Sequence, residues 1–201
     1  MERIKAIETN YNGHLFRSRL EARWAMLLDI IGVEYLYENE GYELEQLGRG
    51  MVDTGTTIQY LPDFYLPVAE CFLEIKPNAP VADDDTEKII LLAIRSKKTV
   101  MVAFGPPWMD VRGLPEYRIH GMFYCEHDGV LNCYDDGILA TDEADGILVS
   151  QIEPFDSERR LYKGYYLNKP PDISIQGCVS PENTKLSRAY KAVKRFRFEK
   201  T

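Results

Sequence analysis

The chain has 201 residues, with 24 Lys/Arg against 32 Asp/Glu for a formal charge of −8 and 45% hydrophobic side chains, enough to bury a core without covalent staples. Its four cysteines (Cys71, Cys125, Cys133, Cys178) are scattered, with no close Cys-x-x-Cys pair, which argues against a disulfide framework and a zinc ribbon. The opening "MERIKAIETN" lacks an apolar signal core and the longest apolar run, "IILLAI", is far too short for a membrane span, so the expectation is a soluble cytoplasmic protein with no membrane partner.

In chain order, "FRSRLEARWAMLLDIIG" carries Leu20, Trp24, Leu27, Leu28 and Ile31 at helical spacing, with Gly32 placed to end the helix. "VEYLYEN" and "GYELEQL" read as strands, "GRGMVDTGTT" as a loop, and "YLPDFYL" as the next strand. "PVAE" turns the chain and "CFLEIK" runs back antiparallel. After a polar loop, Thr86-Glu87-Lys88 opens a second helix through "IILLAIRSKK", followed by the apolar strand "TVMVAFG". Helix, strands, helix and strand make an α/β order complete by about residue 105. Residues 116–170 differ in kind, with short strand candidates ("YRIHGMFYCE", "GVLNCYDD", "GILVSQI") between Asp/Gly turns. Ser180 then caps, and Pro181 opens, a last helix.

Charge is unevenly spread along this order. Residues 181–201 hold seven Lys/Arg against Glu182 and Glu199, so the tail is +5 and the remainder −13. An acidic body does not advertise a nucleic-acid binder, whereas a basic tail suits either a polyanion or a solvated helix face.

The segment that raises a chemical question is "YLPDFYLPVAECFLEIK". Side chains alternate along a strand, so Glu74 and Lys76 share a face, about 7 Å apart along the chain. Antiparallel pairing through the turn brings Asp63 beside Glu74, and Pro62, which has no N–H to donate, marks an edge or bulge that re-aims Asp63. Two converging carboxylates repel unless a cation lies between them, and oxygen-only ligands, with the Ile75 carbonyl as a third, suit Mg²⁺ or Mn²⁺. Such an ion can activate water for phosphodiester hydrolysis, with Lys76 orienting it or offsetting charge.

"PDF" at 62–64 and "EIK" at 74–76, behind "FRSRLEARWAMLLDIIG", resemble the PD-(D/E)XK nuclease superfamily and, within it, the phage endonuclease I-type junction resolvases and related phage nucleases. The similarity covers roughly residues 11–105. It implies a restriction-endonuclease-like core, α-β-β-β-α-β with a mixed sheet flanked by helices, over residues 1–110. A β-rich extension over 111–175 packed on that core and a basic terminal helix over 176–201 complete the expected architecture. The implied activity is a metal-dependent endodeoxyribonuclease acting on branched or structured DNA. Its catalytic set is Glu21, Asp63, Glu74 and Lys76, with Glu21 joining Asp63, Glu74 and the Ile75 carbonyl around the metal. Paired cuts on opposite strands call for two active sites, so the expectation includes a homodimer.

Plainer readings stand beside these. Ser18-x-x-Glu21 is also a capping box. Arg17 and Arg19 flank that helix start and could meet phosphate, yet Arg17 can equally pair with Glu21 one turn on. Lys191, Lys194 and Arg195 could grip the DNA backbone from the last helix. Cys125, His127 and Cys133 lack zinc spacing and read as thiols and a surface imidazole. Tyr162, Tyr165 and Tyr166 could stack on bases, although such tyrosines more often cover a sheet. The acidic body also suits a nuclease-fold binding protein that engages a host protein or nucleotide and hydrolyses nothing.

Overall fold

The computed structural model describes residues 6–48, 53–78, 83–113, 115–124, 131–141, 146–151, 164–170 and 184–198. A hairpin of β1 (Thr9–Tyr11) and β2 (His14–Phe16) leads into helix α1 (Arg19–Ile31). Then come β3 (Leu36–Tyr37), β4 (Tyr42–Leu47), β5 (Asp53–Tyr60), β6 (Phe64–Leu66) and β7 (Cys71–Lys76). Helix α2 (Asp83–Ser96) crosses to β8 (Val100–Phe104), and β9 (Arg118–Tyr124), β10 (Leu131–Thr141), β11 (Ile147–Gln151), β12 (Gly164–Tyr166) and helix α3 (Thr184–Arg195) follow.

The protein is α/β, built on a mixed sheet of eight strands in the order β12-β11-β10-β9-β8-β7-β6-β3. Every pair in it is antiparallel except β7 and β8, which run parallel because α2 carries the chain back over one face. Alternation along the central strands sorts the core into two layers. Cys71, Leu73, Ile75, Met101 and Ala103 face α1 and α3, whereas Phe72, Val100, Val102 and Phe104 face α2 and the separate β4–β5 hairpin. No helix among the described residues is long and apolar enough to cross a membrane.

Helix α1 begins and ends where its chemistry dictates. The Ser18 hydroxyl accepts from the Glu21 N–H at the N-terminus, and Gly32, at φ 76°, takes the left-handed conformation that closes the C-terminus. Trp24 is buried at its centre and donates its indole N–H to the Gly105 carbonyl at 3.0 Å, fixing the helix over the end of β8.

Several elements depart from the expectation. The glycine-punctuated stretch is a loop only in part, because β5 starts at Asp53 and pairs with β4 as a ribbon outside the main sheet. "YLPDFYL" is two strands rather than one: Tyr60 ends β5, Pro62 and Asp63 form the break, and β6 is Phe64–Leu66. Helix α2 opens at Asp83 rather than Thr86, so the "DDD" run belongs to the helix and not to the loop before it. Residues 118–166 contribute β9 to β12, which extend the core's own sheet strand by strand. Ser180 and Pro181 lie outside the described residues, as do Cys125, His127, Tyr162 and Cys178.

Candidate active site at the β6–β7 bend

Pro62 supplies no N–H and breaks the strand, and the register Phe64↔Leu73, Tyr65↔Phe72 puts the next residue, Asp63, level with Glu74. The two acids interlock. The Ile75 N–H donates to Asp63 Oδ2 at 2.8 Å, and the Asp63 N–H donates to Glu74 Oε1 at 3.0 Å. Both side chains are buried, at 6% and 2% relative exposure. Each carboxylate thus satisfies one backbone N–H and keeps further lone pairs.

Burial sets their electrostatics, against the cations that approach from one side. Asp63 is pushed well above its ordinary range, first by desolvation and then by the charges of Glu74 and Glu21, with the Ile75 N–H and Lys76 opposing. Glu74 is also raised, by desolvation, and Lys76, the Asp63 N–H, Tyr60 and Arg17 pull the other way. The two carboxylates titrate as an interacting pair. The buried Tyr60 hydroxyl lies beside Glu74, and desolvation followed by interaction with Glu74 and the charges of Asp63 and Asp85 holds it in the neutral form.

Lys76 Nζ stands 3.7 Å from Glu74 Oε2 and 3.5 Å from Asp85 Oδ2, so it bridges β7 and the first turn of α2. Asp85 and Tyr60 are site residues that the sequence reading does not single out. A period-two pattern through Gln59 and Tyr60 offers a signal for the tyrosine; the "DDD" run offers none for Asp85 until the helix start is known.

Glu21 reaches the same region from α1, where both of its oxygens are engaged. Oε1 accepts from Ser18 Oγ and Oε2 from Tyr37 Oη, each at 2.6 Å. The capping reading is therefore half right, since Ser18 takes the first-turn N–H while Glu21 bonds the serine hydroxyl. Arg17 does not pair with Glu21 by a direct ion pair. Its guanidinium bridges Asp63 Oδ1, at 2.9 Å, and Glu38, while its backbone N–H donates to Tyr37 Oη at 3.0 Å.

The remaining basic candidates lie elsewhere. Arg19 is on the α1 side that carries Arg23, whose guanidinium sits over the rings of Trp108 and Phe198 and donates to the Val193 carbonyl at 2.6 Å. Lys194 donates to the Met109 carbonyl at 2.8 Å and pairs with Glu116 at 3.3 Å, tying α3 to the 108–116 loop. Lys191 and Arg195 are exposed on α3. Tyr165 is buried and donates to the Ala69 carbonyl at 2.6 Å, so it covers the sheet rather than offering a stacking face.

Asp63, Glu74 and Glu21 present only hard oxygen donors, and the first two need a cation to be ionised together, so their chemistry fits Mg²⁺ or Mn²⁺. Among the described residues no three carboxylate, imidazole or thiol groups are gathered closely enough to hold an ion as they stand. The arginine bound to Asp63 is the nearest cationic substitute. No family model, curated protein or solved structure matches the chain.

Proposed function

We propose that the protein is a metal-dependent endodeoxyribonuclease with a restriction-endonuclease-like core, acting on branched or otherwise structured DNA. The observation that carries the reading is the interlocked, buried Asp63–Glu74 pair with Lys76 beside it, three charges in a sheet whose fold has no need of them. The element order supports it too: setting aside the β4–β5 ribbon, α1, β3, β6, β7, α2 and β8 follow the α-β-β-β-α-β order, with Asp63 just before its second strand and Glu74 on its third.

In this mechanism Asp63, Glu74 and the Ile75 carbonyl hold Mg²⁺ or Mn²⁺. When bound, the ion polarises the scissile phosphate and lowers the pKa of a water. Lys76, held between Glu74 and Asp85, would offset negative charge as it develops on phosphorus. Glu21, fixed by two hydroxyls, adds negative charge beside Asp63 and so strengthens the hold on a cation. Arg188, Lys191 and Arg195 recur at i, i+3 and i+7 on an outward face of α3, a helix with no acid, which suits contacts to DNA phosphates. A homodimer would present two such sites to opposite strands.

A second reading, a nuclease-fold binding protein without turnover, draws support from the ion pairs that Asp63 and Lys76 already make. One experiment separates the two. Wild-type and Lys76→Ala protein are incubated with supercoiled plasmid, linear duplex, single strands, RNA and a four-way junction in Mn²⁺, Mg²⁺ or EDTA. Cleavage of DNA that requires both metal and Lys76 is expected, with a loss of about 10²–10³-fold in the variant. Folded protein that cuts none of these substrates leaves the binding reading.

A further inference from the structure

Among the described residues, Arg17 is the basic side chain that pairs with a candidate metal ligand from outside the β6–β7 unit. It comes from the loop before α1, 46 residues away in sequence from Asp63. Its anchorage is divided. The backbone is pinned where its N–H meets the Tyr37 hydroxyl, which in turn donates to Glu21. The side chain, by contrast, is 53% exposed and shared between buried Asp63 and half-buried Glu38. A guanidinium with two acceptors can leave one and keep the other without disturbing α1 or the sheet.

Asp63 Oδ1, the atom Arg17 holds, is also the oxygen left over once Oδ2 has accepted the Ile75 N–H. A divalent cation bound by Asp63 and Glu74 needs that oxygen, and it places positive charge where the guanidinium now supplies it. Two cations competing for one carboxylate oxygen in a site of low dielectric exclude each other.

Resting on the metal reading above, we infer that Arg17 is an exchangeable internal counter-ion, neutralising Asp63 in the metal-free protein and passing to Glu38 when a divalent cation binds. Glu38 is then the receiving station that makes the exchange cheap. Once displaced, Arg17 stays beside the site with its fork free, a suitable partner for a phosphate oxygen. The device has a direct thermodynamic signature, because whatever strengthens the Arg17–Asp63 pair must weaken metal binding by the same factor.

Mn²⁺ titration calorimetry on the full chain tests this without any substrate. Arg17→Met removes the competitor and is expected to tighten Mn²⁺ binding roughly tenfold, the worth of one charge-assisted hydrogen bond. Glu38→Gln removes the receiving station and is expected to weaken binding by about threefold; in the Arg17→Met background the same change should have less than about a twofold effect, since the two residues act through each other. Glu74→Gln serves as the control that abolishes the site, and a thermal melt of each variant checks that it is folded. Unchanged or weaker Mn²⁺ binding in Arg17→Met, with wild type binding normally, would overturn the exchange and leave the metal site standing. Mn²⁺ binding no stronger in wild type than in Glu74→Gln would overturn the metal reading and the exchange together.

Discussion

The neighbouring strands β7 and β8 lie side by side within one sheet, parallel, in register and buried in all but Lys76, yet they are written differently. β8 is "VMVAF" and apolar throughout; β7 is "CFLEIK", so that Glu74 lies opposite Val102 and Lys76 opposite Phe104. The contrast extends to the two halves of the molecule. The buried carboxylates among the described residues are Glu21, Asp63 and Glu74, all on the α1–β7 side, whereas the core contributed by β9 to β12 and α3 is aliphatic and aromatic. β8 shows that this part of the sheet can be built from hydrocarbon alone, so the acids of β6–β7 are a departure that carries a desolvation cost.

Putting an acid on the apolar strand breaks the contrast most severely. Met101 is fully buried between Leu73 and Gly121. Met101→Glu should cost at least about 3–5 kcal/mol, the penalty of an uncompensated buried charge, and unfold much of the protein at room temperature as followed by circular dichroism. Glu74 survives one strand away because an N–H and an ammonium meet it.

In the apolar half the nearest thing to a polar network is the buried Tyr117–Tyr190 hydroxyl pair, 2.6 Å apart, with the Leu139 N–H donating to Tyr117. It ties α3 to the sheet. Tyr117→Phe leaves a hydroxyl and an N–H unpartnered and should cost about 1–3 kcal/mol in urea unfolding without affecting metal binding.

The smallest effect has the opposite sign. Asp63 titrates above its ordinary range in the folded chain, so its contribution to stability is fully present below about pH 4, where folded and unfolded forms are both protonated, and is lost as pH rises through the folded value. Asp63→Asn should therefore melt like wild type in acid but about 2–4 °C higher near neutrality in EDTA, roughly what 1 kcal/mol does for a chain of this size. A lower melting point in the variant across the whole range would mean that the Arg17 ion pair outweighs the cost of burying Asp63.

These contrasts also show what a sequence can carry. Alternation in "CFLEIK" and the proline before Asp63 are local signals, and they put Asp63, Glu74 and Lys76 together because a short antiparallel turn leaves little choice of register. The amphipathic pattern and caps of α1 are equally local. What escaped depends on distance. The β4–β5 strands look like sheet members and form their own ribbon, because nothing within them encodes which edge they join. "DDD" reads as loop because its place in the first turn of α2 is only evident from the helix that follows, so Asp85's contact with Lys76 stays hidden. Spacing offers Arg17 a partner one helical turn away, while its actual partners come from β3's end and the β6 bend, brought near by tertiary packing. The β-rich segment looked like an appendage because its strands are short, and pairing edge to edge with β8 is a long-range choice.

Whether the buried acids of β6–β7 hold a cation is tested most directly by the melting temperature of wild-type and Glu74→Gln protein with and without Mn²⁺. Mn²⁺ at 100 times its dissociation constant should raise the wild-type midpoint by about 5–10 °C, the shift expected from roughly 2.7 kcal/mol of linkage in a chain of this length, and leave Glu74→Gln unmoved. Equal shifts in both proteins, or none in either at millimolar Mn²⁺, would contradict a cation site there.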